Sequence, residues 1–328
     1  MAIGARRVVE TCANVKAGEQ VLIVTEISKY TIAESLAQAV CAVRAEPTIM
    51  VMIPREQDSQ EPPRPVAEAM KNSDVFLCAV NRSITHTQAV KSAVAAGSRG
   101  LVLTHFSEDM LTRGGIEADF RAIAPVCRGM AAAMAGSRHI RLTSPSGTDL
   151  TYSAEGRRGN ALCGVVEAGQ FSTIPTIEAN VSPVEGSANG IIVADASVPY
   201  IGIGVLREPV VCEVKDGFII SMKGGEQADR LRADLQSKND PNVFNVAEMG
   251  VGLNPHCRFI GFMLEDEGVS GSVHIGIGTS ITLGGVVKAA CHYDLIMSNA
   301  TVVADGRTLL LDGQVQYDAI GVAEPTEQ

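Results

Sequence analysis

The chain has no Trp, and aromatic residues make up only 4% of it. Its interior cannot rest on large rings and must be built from Ala, Val, Ile and Leu, which suits layered α/β packing. The eight Cys stand singly, at 12, 41, 78, 127, 163, 212, 257 and 291, with no CxxC pair. That spacing excludes a zinc ribbon and fits reduced, buried thiols in a reducing compartment. No apolar stretch of about twenty residues occurs, and "MAIGARRVVETCANV" lacks a long apolar core followed by a small-residue cleavage site. The expectation is a soluble, cytoplasmic protein. Basic residues are outnumbered, 27 Lys and Arg against 37 Asp and Glu, for a net charge of −10. This disfavours a nucleic-acid backbone or an anionic membrane surface as partner and leaves a small molecule or another protein. The loop "TEISKYT" lacks the G-x-G-x-x-G that lets a backbone approach a pyrophosphate, and no G-x-x-x-x-G-K-[ST] occurs, which argues against a nucleotide site.

At 328 residues the chain exceeds one usual hydrophobic core, so two domains are expected. From residue 20 to about 136, β-branched runs read as strands at 21–24, 48–53, 74–80 and 100–105. Helical patterns alternate with them; the first has Thr31 three residues before Glu34, a capping-box signature. This βαβα series predicts a mostly parallel sheet under helices, and the Ala-rich stretch 119–137 predicts a closing helix. After residue 138 the runs pair as hairpins around Ser-Gly, Asp216-Gly217 and Asp305-Gly306, with one helix at 225–239. The expectation is an α/β domain over 1–138, a β-rich α+β domain over 139–328, and a solvated tail from 321.

The second part holds His256, His274 and His292. In "CHYDLIM", His292 and Asp294 are two apart in an apolar, β-branched run, so a strand puts both on one face. There they need a neighbouring side chain or a metal ion as partner, because an unpaired buried polar group costs a few kcal/mol or more. Glu178 in "STIPTIEANVSP", Glu248 in "NVAEMGVGLNPH" and His274 in "GSVHIGIG" sit in similar apolar and Gly-rich settings. Two imidazoles and three carboxylates could hold two divalent ions with a carboxylate bridging them. The acidic run 265–267 reads as a solvated loop, with Glu267 near enough in sequence to His274 to serve as an alternative ligand. His256 follows Pro255 in a loop and reads as structural or substrate-facing. Arg157 and Arg158 in "EGRRGN" offer either a clamp for a substrate carboxylate or a turn with exposed charges.

The order "EGRRGN", "IPTIEANVSP", "AEMGVGLNP", "SVHIGIG", "HYD" and "VVADG" resembles the M29 metallopeptidases, the aminopeptidase T family, over most of 139–315. The resemblance implies a homodimer whose C-terminal domain binds one or two ions of the zinc, cobalt or manganese kind through Glu178, Glu248, His274, His292 and Asp294. It also expects a Tyr seven residues after the first of those histidines, where this chain has Ile281. Tyr293 is expected to point away from His292 and Asp294. A second resemblance is to 2,5-dihydroxypyridine 5,6-dioxygenase, through "NDPNVFNVAEMGVGLNP" and "CHYD". That enzyme family implies a single Fe(II), with His where this chain has Glu248 and without the residues at Glu178 and His274. The sequence therefore reads as a metal-dependent hydrolase cleaving an amide bond of a small molecule or short peptide. Its catalytic carboxylates would be Glu178 and Glu248, and Arg157, Arg158 and His256 would face substrate. The alternatives are an Fe(II) ring-cleaving dioxygenase and a non-catalytic metal or small-molecule binding protein.

Overall fold

The computed structural model describes residues 1–85 and 87–325; position 86 and the last three residues of the expected tail lie outside the described residues. The chain forms two compact units, the first of residues 1–124 and 162–177, the second of 125–161 and the chain from 178 on. The first crossing falls within the helix Phe120–Met134, directly before Pro125 and ahead of the expected boundary at 138. The return of 162–177 to the first unit has no marker in the local sequence pattern.

The first unit holds a parallel sheet of β1 (Gln20–Thr25), β2 (Glu46–Val51), β3 (Val75–Val80), β4 (Arg99–Thr104) and β5 (Phe171–Thr173), in the order 2-1-3-4-5. The expected strands are all present, and β5 is added by the returning segment. Alternate residues Leu22, Val24, Phe76, Cys78, Val80 and Val102 pack with Val66, Met70, Ala89, Val90 and Ala93 of helices Arg64–Lys71 and Gln88–Ala95. The intervening Val21, Ile23, Val75, Leu77 and Ala79 are equally buried, as a sheet covered on both faces requires. One detail differs from expectation. The helix Tyr30–Ala42 has Lys29 at its N-cap with no side-chain cap, because a short 3₁₀ turn over Ile27–Lys29 already leads into it and places Thr31 inside the helix.

The second unit contains an antiparallel eight-stranded sheet and a seven-stranded one, counted among the described residues. The hairpins expected from Asp-Gly pairs are in the first. Asp216 and Gly217 join Val210–Lys215 to Phe218–Lys223, and Asp305 and Gly306 join Thr301–Ala304 to Arg307–Leu311. Both turn residues have positive φ in each hairpin, the conformation that matches the twist of paired strands. The helix Glu226–Ser237 lies where the sequence puts it. The centre of the second sheet is β6 (Glu178–Val181), β7 (Val246–Gly252), β8 (Val273–Gly278) and β9 (His292–Met297), side by side in the order 9-8-7-6. Among the described residues no helix is long and apolar enough to cross a membrane.

Candidate metal centre

The register of these four strands assembles the site. Gly252 lies opposite Glu178 and Gly250 opposite Asn180, while Glu248 faces Gly276 and Gly250 faces His274. Across the next pair, Gly276 meets Asp294 and Gly278 meets His292. A strand alternates its faces with period two, so Glu178, Glu248, His274, His292 and Asp294 all project from one face of the sheet. The glycines between them provide room. A Cβ on Gly250 would stand 2.0 Å from His274 Nε2, and one on Gly276 would stand 2.6 Å from His292 Nε2. The imidazoles therefore lie over bare backbone of the neighbouring strands.

Two donor groups result, Glu178 with Glu248 and His274, and Glu248 with His292 and Asp294; in each the ligand atoms lie within 4.8 Å of one another. Glu248 belongs to both. His292 Nε2 is 2.9 Å from Glu248 Oε2 and 3.4 Å from Asp294 Oδ1, and His274 Nε2 is 3.6 Å from Glu178 Oε2. The carboxylates and His274 are all at least 96% buried, and His292 keeps a quarter of its side chain exposed, so the cluster meets solvent on the His292 side. Glu178 Oε2, His274 Nδ1 and Asp294 Oδ1 are buried without a hydrogen-bond partner. Three unsatisfied polar atoms around one shared carboxylate are costly in a bare fold and suit a divalent cation.

The electrostatics follow from burial and crowding. Burial pushes the Glu178 carboxyl up to about 7, opposed by His274 and reinforced by Glu248. Burial would lower the His292 imidazole, but Asp294 and Glu248 outweigh it and hold the ring well above its ordinary value. Asp294 is driven below the usual carboxylate range, since His292, His274 and a hydrogen bond from Tyr200 outweigh its burial. His292 Nδ1 lies 2.9 Å from the carbonyl oxygen of Thr279. A carbonyl can only accept, so the Nδ1–H donates and Nε2 is the atom turned to the carboxylates.

Other expected site residues are engaged elsewhere. Arg157 pairs with Glu185 and donates to the Gly284 carbonyl at 2.6 Å, and Arg158 donates to the Thr282 carbonyl at 3.4 Å. Both arginines thus fasten the loop 279–291 that leads into β9. His256 is exposed and belongs to neither donor group among the described residues. Ile281, where the M29 resemblance expects a Tyr, is 49% exposed. The run Glu265, Asp266 and Glu267 is buried, not a solvated loop. Asp266 accepts from the backbone N–H groups of Ile260 and Gly261 and from the Ser197 hydroxyl, which offsets its desolvation. Two contributors, Asn180 and Tyr200, went unread in the sequence, and a third, Glu267, was read there only as an alternative ligand. Asn180 donates to Glu178 Oε1 at 3.0 Å, Tyr200 donates to Asp294, and Glu267 meets the Tyr200 hydroxyl at 3.1 Å. Asn180 has a visible signal, being two residues from Glu178 on the same strand; Tyr200 has none.

A family model described as NicX: 2,5-dihydroxypyridine 5,6-dioxygenase matches residues 2–317. A 2,5-dihydroxypyridine 5,6-dioxygenase of Pseudomonas putida KT2440 is 30% identical over 145 residues, 40% of this chain and 41% of that protein. The aligned stretch thus spans about two fifths of the relative's length. The solved structure of 2,5-dihydroxypyridine dioxygenase from Pseudomonas putida KT2440 superposes with a TM-score of 0.79 at 18% identity, covering 96% of both chains. AmpT from Thermus thermophilus superposes with a TM-score of 0.63 at 17% identity, covering 96% of this chain and 98% of that one. At these identities the two structures establish the fold, an N-terminal parallel α/β unit and a C-terminal antiparallel one.

Proposed function

The chain belongs to the 2,5-dihydroxypyridine 5,6-dioxygenase family, and from that premise we propose that it is an Fe(II)-dependent enzyme that opens the ring of a small hydroxylated heteroaromatic substrate with dioxygen. What carries this reading is the match along residues 2–317, which runs through every strand of the donor cluster. Glu248, His292 and Asp294 would hold the iron. They offer one imidazole and two carboxylates, where the common oxygenase triad has two imidazoles and one carboxylate. Bound there, Fe(II) would supply the one-electron chemistry that lets dioxygen react with an aromatic ring. The protein's own part is positional. Thr279 fixes the His292 ring, the packed sheet excludes water from all but the His292 side, and Glu178, a carboxyl raised by its burial in the metal-free protein, offers Oε2 to take up or release a proton.

One observation favours a second reading, hydrolysis of an amide bond, which makes the expectation from the M29 resemblance the lesser one here. Glu248 is common to both donor groups, and a shared carboxylate is what a two-ion site needs, with Glu178 and His274 holding the second ion. Two such ions would supply carbonyl polarisation and an acidified water. The experiment is turnover of dihydroxypyridines and of short peptides, in air and under strict anaerobiosis, alongside elemental analysis of protein purified without added metal. Ring cleavage predicts one equivalent of iron and oxygen uptake stoichiometric with substrate loss. Turnover unchanged without oxygen would overturn it, and two equivalents of zinc, cobalt or manganese in that protein, together with peptide turnover, would favour the hydrolase.

A further inference from the structure

Tyr200 comes from a part of the chain that carries none of the five donors. It follows the short strand Ser197–Val198, which lies beside β9 through the pairing of Ser197 with Ile296. The turn is held by the Tyr200 N–H on the Val198 carbonyl at 2.8 Å and the Ile203 N–H on the Tyr200 carbonyl at 2.9 Å. The Tyr200 ring packs on Tyr293, centroids 4.7 Å apart and tilted by 30°, and the Lys238 ammonium sits 5.3 Å over the Tyr293 ring. The phenol is therefore fixed by packing that does not involve the donor cluster. Its hydroxyl lies between Asp294 Oδ2 and Glu267 Oε1. Asp294 and Glu267 are 3% and 8% exposed, so water is no ready substitute for either contact.

We propose that Tyr200 is a positioning residue, whose hydroxyl holds Oδ2 of Asp294 and so presents Oδ1, the atom buried without a hydrogen-bond partner, to the ion. Glu267 is the strut behind it. A phenol has one O–H to donate, and here it is spent on a carboxylate within the protein. Tyr200 thus acts through Asp294 and is not a donor to substrate. This inference rests on the reading that Asp294 is a metal ligand.

The test titrates metal-free protein with Co(II), following its visible absorption and measuring affinity by competition with a chelator. Tyr200→Phe keeps the ring packing and removes only the hydroxyl, so the metal-free protein should still fold, with a melting temperature lowered by the loss of one buried hydrogen bond. Cobalt affinity should fall by about 10- to 100-fold, the usual effect of losing a hydrogen-bond partner of a ligand, and the absorption bands should shift. Glu267→Met, which leaves the phenol in place without its strut, should weaken binding several-fold, and it decides the matter if Tyr200→Phe does not fold. Unchanged affinity and bands in the variants, while Asp294→Asn loses cobalt, would overturn the positioning role and leave the metal site standing. A wild-type protein that takes up no cobalt would overturn the metal site and this role with it.

Discussion

The donor residues differ in how they respond to loss of charge. Glu248 is the only carboxylate common to both donor groups among the described residues, so Glu248→Gln should deplete metal from the whole cluster. Elemental analysis should show bound metal reduced at least about tenfold; retained wild-type content would mean Glu248 is not a ligand. The pH behaviour has a definite sign. A carboxyl raised in the fold binds its proton more tightly there than in the unfolded chain. Glu178 therefore contributes stability that is complete below its ordinary value of 4.5 and lost as pH rises through about 7. His292, also raised, acts in the same sense. Metal-free protein should melt at progressively lower temperature from about pH 5 to about pH 8, whereas metal affinity should climb over that window because protons compete for the same atoms. A melting temperature that rises across it would contradict the site's electrostatics. At this scale the sequence was readable where a polar residue interrupts an apolar run, as at Glu178, Glu248, His274, His292 and Asp294. The burial of Asp266 and Glu267 was not readable, because it depends on Ser197, Tyr200 and the 260–261 backbone, which local pattern cannot bring near.

Among elements, the glycines of the site are spacers and those of the hairpins are hinges, and substitution should separate the two roles. Gly250→Ala and Gly276→Ala push a methyl into the His274 and His292 rings, at 2.0 and 2.6 Å. Each should cost about 1–3 kcal/mol by overpacking and displace a donor, read as a lower melting temperature together with weaker metal binding. Gly306→Ala meets open space but must keep φ at +80°. It should cost about 1 kcal/mol through backbone strain alone, with metal affinity unchanged; a matching loss of metal would show that the hairpin supports the site. The hairpins were legible because Asp-Gly names a turn type, and β1, β3 and β4 because buried parallel strands read as continuous aliphatic runs. Thr31 and Glu34 misled because a capping pair is informative only at the true helix start, which the preceding 3₁₀ turn had moved.

For the whole molecule, the fold class was legible and the path of the chain was not. Nothing in residues 162–177 marks them as returning to the first unit to supply β5, since membership of a sheet edge is decided by pairing over long sequence distance. Removing the metal should be felt throughout the second unit. At a free concentration one hundred times its dissociation constant, a bound ion adds about 2.7 kcal/mol of stability, so chelation should lower the melting temperature, and a melt indifferent to chelator would deny the ion a structural share. The register of β6 to β9 has one more consequence. A slip of a single residue in any of these strands would turn its donor to the opposite face, so the cluster exists only when all four have docked correctly. Metal capture is then a stopwatch for folding: in a refolding experiment with a metal-sensitive dye, uptake should lag behind the recovery of secondary structure and coincide with the last tertiary phase.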